Sequence, residues 1–194
     1  LVAASANNYY EGVSQREVEE FYHLKPGEDE FVTRGLNSTL VKNAVGQLEE
    51  EVWRVGGKYG KQLERVVAEL EMAARYACNE AQERCIALLV EYYRTGDTRL
   101  FDRYSIEWVK ENEGRVDFIN GFIEVYGDPL AYKASWESVV QIIDEEACER
   151  TRKLADNALW FERNAPVDER FKKSEVNGIT ARVVQAAMLG GDCH

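Results

Sequence analysis

Histidine is almost missing from this chain. His23 and His194 are the two present among 194 residues, and neither stands near carboxylates at metal-binding spacing. A metal centre built from clustered imidazoles is therefore beyond what this sequence supplies. Cysteine is scarce and irregular: Cys78 and Cys85 lie seven positions apart, Cys148 stands alone and Cys193 adjoins His194. That spacing gives neither a disulfide framework nor a zinc-finger pattern. Reduced, mostly buried thiols in a reducing, cytoplasmic compartment are the expectation. The three prolines, Pro26, Pro129 and Pro166, fall where a regular element must end. No apolar run approaches a membrane span, and there is no internal repeat or low-complexity tract. Positive charge is outweighed, with 24 Lys and Arg against 35 Asp and Glu, a net charge of -11. Such a balance argues against nucleic acid or an anionic membrane as partner and suits a cationic peptide. The chain starts at Leu1 rather than Met, so it reads as a processed product or a piece, and the missing leader sequence carries no weight.

What is present suffices for one domain with a real core. Residues 1–13 read as an extended entry arm. Ser14 and Glu17 form a capping box for a short helix with Val18, Phe21 and Tyr22 on its apolar side, ended by Lys25-Pro26-Gly27. Asn37-Ser38-Thr39 matches the glycosylation acceptor pattern, but a loop with Asn37 as a turn or cap residue is the better reading. Gly56 to Gly60 lacks the Gly-Lys-Ser/Thr ending of a phosphate loop and reads as the loop opening the next helix. Apolar spacing predicts that helix over Tyr59 to Cys78. Asn79 caps a second helix whose inner face is Cys85, Leu88, Leu89 and Tyr92, closed by Gly96, and Asp97 caps a third with Leu100, Tyr104 and Trp108. Short connections make these an antiparallel helical layer. Later, Asp144 caps a long helix, Glu145 to Asn164, and Val176 to Leu189 reads best as a strand with Ile179, Ala181 and Val183 alternating, its alanine tail making helix the rival. The fold class expected is α+β, predominantly helical with a small number of strands.

The stretch Arg115 to Ile143 is where the chemistry concentrates. It reads as strand, turn, strand. Alternation from Val116 puts Phe118, Asn120, Phe122, Glu124 and Tyr126 on one face, so a carboxylate and a phenol end an otherwise apolar side. Gly127, Asp128 and Pro129 form the turn. The second run, Trp136 to Ile143, carries Glu137 near its start.

The string GFIEVYGDPLAYKASWE, with its second Glu thirteen residues after the first, resembles a segment of the dipeptidyl peptidase III family, zinc aminopeptidases that remove dipeptides from peptide N-termini. NNYYEGVS, GLNSTLVK, VGGKYGKQLE and FKKSEVNGITARVVQAAMLGGD resemble other parts of that family in the same order, closer to its bacterial members. The resemblance implies a fragment of a larger peptidase, with residues 1–143 and 176–194 in its lower lobe and the helix within 144–175 reaching the upper lobe. It implies that Glu124 and Glu137 hold the substrate ammonium through charge-assisted hydrogen bonds. Tyr126 then contacts the substrate backbone near the scissile carbonyl, where a phenol donor supports developing negative charge. Zinc is implied for the intact family enzyme. The family's His-Glu-x-x-x-His string is missing from this sequence, so this chain is expected to bind no metal and to give no turnover alone. Its expected partners are short peptides with a free N-terminus and the remainder of the peptidase, with no nucleic acid and no membrane. A non-catalytic helical interaction module derived from the family is the alternative. A metal-independent carboxylate dyad of Glu124 and Glu137 is a second one, weakened because nothing supplies a sugar platform.

Overall fold

The computed structural model describes residues 2–5, 7–23, 33–111, 113–176 and 182–192. It contains helices and two three-stranded sheets, which bears out the α+β class. The chain opens with a 3-10 turn at Val2–Ala4 and a short strand β1 (Tyr10–Glu11), so the entry arm is only partly extended. Helix α1 (Gln15–Tyr22) starts on the expected capping box: the Ser14 hydroxyl accepts from the Glu17 N–H, and the Glu17 carboxylate accepts from the Ser14 N–H at 2.8 Å. The Lys25-Pro26-Gly27 stop lies outside the described residues.

Strands β2 (Ser38–Lys42) and β3 (Leu48–Val52) pair antiparallel, and β1 joins β2 in parallel. Sequence patterning missed this sheet. β2 is buried on both faces and shows no alternation, while β3 hides its period behind three successive glutamates. Asn37 is correspondingly not a surface loop residue. It is 3% exposed; its amide donates to the Gly96 carbonyl at 3.0 Å and its own carbonyl accepts from the Trp53 N–H at 2.7 Å.

Helices α2 (Gly60–Ala74), α3 (Glu80–Thr95) and α4 (Thr98–Lys110) follow, with Asn79, Gly96 and Asp97 in the capping positions that the sequence assigns them. The glycine-rich loop does open α2, through Tyr59 in the left-handed region at φ 61°. The helices bury Leu63, Leu89, Tyr93 and Phe101 against Trp53, just past the end of β3, and Phe122 from the second sheet. Leu89 is fully buried, and such a side chain contributes about 1.5–3 kcal/mol through removal from water.

The second sheet is antiparallel in the order β4 (Val116–Glu124), β5 (Ser135–Ile143), β6 (Val184–Gly191). The outer edge of β4 lies against α3 and α4. Gln82 donates to the Val116 carbonyl (2.8 Å), Tyr104 to the Phe118 carbonyl (3.3 Å) and the Trp108 indole to Asp117 (2.8 Å). At Gly121 the Phe101 ring occupies the space a side chain would take: a Cβ there would sit 2.5 Å from it. Gly121→Ala is therefore expected to destabilise the chain by about 1–3 kcal/mol, the range for overpacking a core. Urea unfolding measures it, and an unchanged midpoint would contradict the close approach.

Three expectations need correction. The helix after β5 is not continuous: α5 (Glu145–Asp156) ends at Asn157 and α6 (Ala158–Asn164) begins beyond it. The Asn157 side chain donates to the Lys153 carbonyl at 2.8 Å, the local bonding that makes asparagine a poor interior helix residue. The thiols are also not mostly buried. Cys85 is buried and burial pushes it up to about 11, Cys148 is half-buried, Cys78 is exposed, and Cys193 lies outside the described residues. The last strand begins at Val184, later than Val176; Ile179 and Ala181 lie outside the described residues.

Candidate functional site

β4 does not alternate to its end. Phe122 pairs with Trp136, yet Glu124 pairs with Ser135, so two steps along β4 match one along β5. Ile123 is the extra residue of a β-bulge, a device that re-aims side chains. Residues directly opposite in a ladder share a face, and Ser135 and Glu137, two apart on β5, share theirs. The bulge thus moves Glu124 off the apolar face of Phe122 and Trp136 and onto that of Glu137. Tyr126 lies two residues past Glu124, in the turn beyond the end of β4, and is well exposed. Glu137 is 8% exposed and pairs with Gly121, and Glu124 is half-buried.

These residues feel one another. A hydrogen bond to Asp192 is the largest influence that pushes the Tyr126 phenol up to about 12, and the charges of Asp192, Glu124 and Glu137 push the same way. Asp192, just beyond β6, is a member of the cluster that sequence reasoning missed. It accepts from the Ser135 hydroxyl at 2.7 Å, and Ser135 in turn lies 3.2 Å from the Glu124 carbonyl.

The turn that carries Tyr126 is braced from both sides. Asp128 is buried and organises the loop into β5: its carboxylate accepts from the N–H groups of Leu130 (3.0 Å), Tyr132 (2.9 Å) and Lys133 (2.9 Å). It also accepts from the Tyr10 hydroxyl at 2.6 Å, and Asn7 donates to the Gly127 carbonyl at 3.0 Å. The NNYY string near the start therefore clamps the turn, a role that nothing in its local pattern reveals. Asn8 hydrogen-bonds the Tyr59 hydroxyl, tying the same string to the α2 entrance.

Behind Asp128 sits Lys133, with a side chain fully shielded from water. Its ammonium hydrogen-bonds Tyr22, donates to Ser38 Oγ at 2.7 Å, pairs with Glu50 at 3.4 Å and lies 4.7 Å from the Tyr22 ring centre. Burial lowers Lys133 to about 8, outweighing the attraction of Glu50 and Asp128. This network joins α1, β2 and β3 to the loop entering β5.

Two apolar hollows lie beside the opposite face of the sheet and meet at Trp136. One of about 360 Å³ is walled by Tyr59, Leu63, Val66 and Phe122, the other of about 510 Å³ by Leu70, Phe118, Val140 and Met188 among others. The carboxylates stand on the other side. Among the described residues no group of three or more His, Cys, Asp and Glu is placed to hold a metal ion. No helix among the described residues is long and apolar enough to cross a membrane.

Residues 32–178 match the sequence profile of peptidase family M49, and the chain belongs to that family. Among individual proteins it is similar to dipeptidyl peptidase 3 of Dictyostelium discoideum, 32% identical over 123 residues, covering 63% of this chain and 18% of that protein. Dipeptidyl peptidase 3 of Homo sapiens is 26% identical over 151 residues, covering 78% of this chain and 20% of its own length. The fold is that of part of dipeptidyl peptidase III from Caldithrix abyssi, with a TM-score of 0.73, 24% identity, and 95% of this chain and 34% of that one covered. The enzyme from Corallococcus sp. strain EGB superposes with a TM-score of 0.68 at 21% identity, covering 94% and 33%. The chain thus spans about a fifth of the length of these curated relatives.

Proposed function

We propose that this chain supplies the subsites for the peptide N-terminus in a zinc-dependent dipeptidyl peptidase of this family, with the metal ligands lying outside it. Glu124 and Glu137 grip the substrate ammonium, and Tyr126 contacts the backbone near the scissile carbonyl. The observation that carries this reading is the bulge at Ile123, which turns Glu124 to the face of Glu137, with the Tyr126 phenol close enough to sense both charges. A pair of carboxylates around one ammonium selects free N-termini, because a blocked terminus leaves a shielded charge without its partner.

Residues 1–143 and 176–194 belong, on this reading, to the lower lobe, and the helical segment within 144–175 reaches the upper one. In support, α6 buries none of its residues, and Leu154, Trp160, Phe161 and Phe171 are exposed. Apolar side chains left uncovered in one segment mark a contact with something else.

Binding of a free-amine tetrapeptide and its N-acetylated form to the 194-residue chain tests the proposal by NMR titration. Preference for the free amine by at least tenfold is expected, from loss of one charge-assisted contact of about 1.5–3 kcal/mol. Equal binding of both forms would refute the ammonium clamp, and no binding of either would favour a module without a substrate role.

A further inference from the structure

We infer that Asn7 is a positioning residue for Tyr126: through the Gly127 carbonyl it fixes the turn from which the phenol meets a peptide. This rests on the reading of Tyr126 as a substrate contact. Val125 to Asp128 form a four-residue turn, closed by the Asp128 N–H on the Val125 carbonyl at 3.0 Å, with Tyr126 and Gly127 at its central positions. The ladder between β4 and β5 ends at the pair Glu124 and Ser135, so it does not reach this turn. Placement comes from outside. The Asn7 amide donates to the Gly127 carbonyl at 3.0 Å, and the Tyr10 hydroxyl donates to the Asp128 carboxylate at 2.6 Å. These bonds grip the two residues that directly follow Tyr126. The arm that makes them is itself held. The Asn7 amide also donates to Ser5 Oγ at 3.2 Å, and its oxygen accepts from the Tyr9 N–H at 3.3 Å, so donor and acceptor ends are both engaged in one orientation. The Asn8 carbonyl accepts from the Thr39 hydroxyl and the Tyr9 carbonyl from the Leu40 N–H, each at 2.9 Å, and the buried Tyr9 ring lies beside Trp53. Tyr10 begins β1, the strand paired with β2. The first sheet thus reaches across to a turn of the second. A side chain on a turn is aimed only as well as its backbone is held, so the arm sets where the phenol stands before a peptide arrives, which is preorganisation.

The test uses Asn7→Ala in the 194-residue chain, a change that removes the donor to Gly127 and adds no charge to an acidic site. Backbone 15N relaxation should give the Tyr126 and Gly127 amides order parameters of about 0.85 in wild type and about 0.6 or below in the variant, with the amides of β4 and β5 unchanged. Tyr10→Phe removes only the bond to Asp128 and should loosen the same two amides less, because three N–H groups still hold that carboxylate. Wild-type order parameters at Tyr126 and Gly127 in Asn7→Ala would overturn the proposal, and so would loosening spread over both sheets, the mark of a residue that serves the fold alone. The second arm is a double-mutant cycle on binding of the free-amine tetrapeptide. Asn7→Ala should weaken binding by roughly three- to tenfold in the wild-type background, the worth of one hydrogen bond, and hardly at all in Tyr126→Phe, the signature of coupled residues. Equal weakening in both backgrounds would also overturn it. If wild type takes no peptide, the substrate reading of the site fails, while the relaxation data still decide whether Asn7 holds the turn.

Discussion

Replacing Glu137 by Gln is expected to weaken binding of a free-amine peptide by roughly 30- to 1,000-fold, or about 2–4 kcal/mol, the range for removing one partner of a shielded charge pair. Glu124→Gln should act in the same direction and less strongly. The difference follows from burial: Glu137 is 8% exposed, whereas Glu124 at the strand end is only half-buried and better screened. Binding of the N-acetylated peptide should hardly change in either variant. Stability serves as the control: a clamp residue loses affinity for the free amine and not for the acetylated peptide, whatever the change does to the fold. A residue kept only for the fold would show the reverse, lost stability with unchanged affinity. Calorimetric titration and urea unfolding of both variants separate these outcomes, and equal losses for the free and acetylated peptides would sink the clamp.

The second large effect concerns Lys133 and alkaline pH. Its folded value is about 8 against 10.5 when exposed, because burial disfavours the charged form. Below pH 8 folded and unfolded chains both carry the proton, and the burial penalty is present in full. Between these values the unfolded chain binds more protons than the folded one, so folding becomes more favourable as pH rises. The Lys133 contribution should reach about 2–3 kcal/mol between pH 7.5 and pH 10, partly offset from about pH 9 upward by Cys85, whose buried thiol stays protonated in the folded chain and ionises when unfolded. Above pH 10 the trend reverses, because Tyr10 and Tyr22 are held protonated by burial and by Asp128 and Glu50, and ionise only when unfolded. Lys133→Met keeps the volume and removes the titration, while Tyr22 and Ser38 retain Glu50 as acceptor at 2.5 Å each. The stability difference between wild type and Lys133→Met should therefore shift toward wild type across that window. A flat difference would show that Lys133 titrates as an exposed lysine does.

Most of the helical layer was legible in the sequence, because its signals are local. Ser14, Asn79 and Asp97 cap helices through hydrogen bonds to residues within three positions, and Gly96 ends one through its own left-handed backbone. The strand-turn-strand unit was legible too, down to the Asp128 turn. What sequence could not yield depends on pairing between distant segments. The bulge at Ile123 exists only as a mismatch between β4 and β5, so strict alternation assigned Glu124 to the wrong face. Asp192 meets Ser135 across 57 positions and Asn7 meets Gly127 across 120, distances at which no periodicity carries information. The hairpin of β2 and β3 did leave a clue in Asn43 and Gly46, whose Asn side chain accepts from the Val45 and Gln47 N–H groups and whose Gly takes φ 81°.

The bulge also fixes how this stretch can change length. Removing Ile123 would leave every neighbouring hydrogen-bonding partner available, and the hairpin could still zip without a gap. Glu124 would then follow Phe122 directly and pair with Ser135 as before, so its charge would keep to the Glu137 side of the sheet. Adding a residue on the β5 side before Ser135 would instead let Ile123 and Glu124 pair in step and turn Glu124 to the Trp136 side, toward the apolar interior, while Glu137 stayed where it is. Length variation between Phe122 and Trp136 is therefore tolerable where it removes the extra residue of the bulge or falls in the loop after Gly127. The hairpin reads its own sequence in steps of two, and a single insertion opposite the bulge acts as a reversal of polarity rather than as a lengthening.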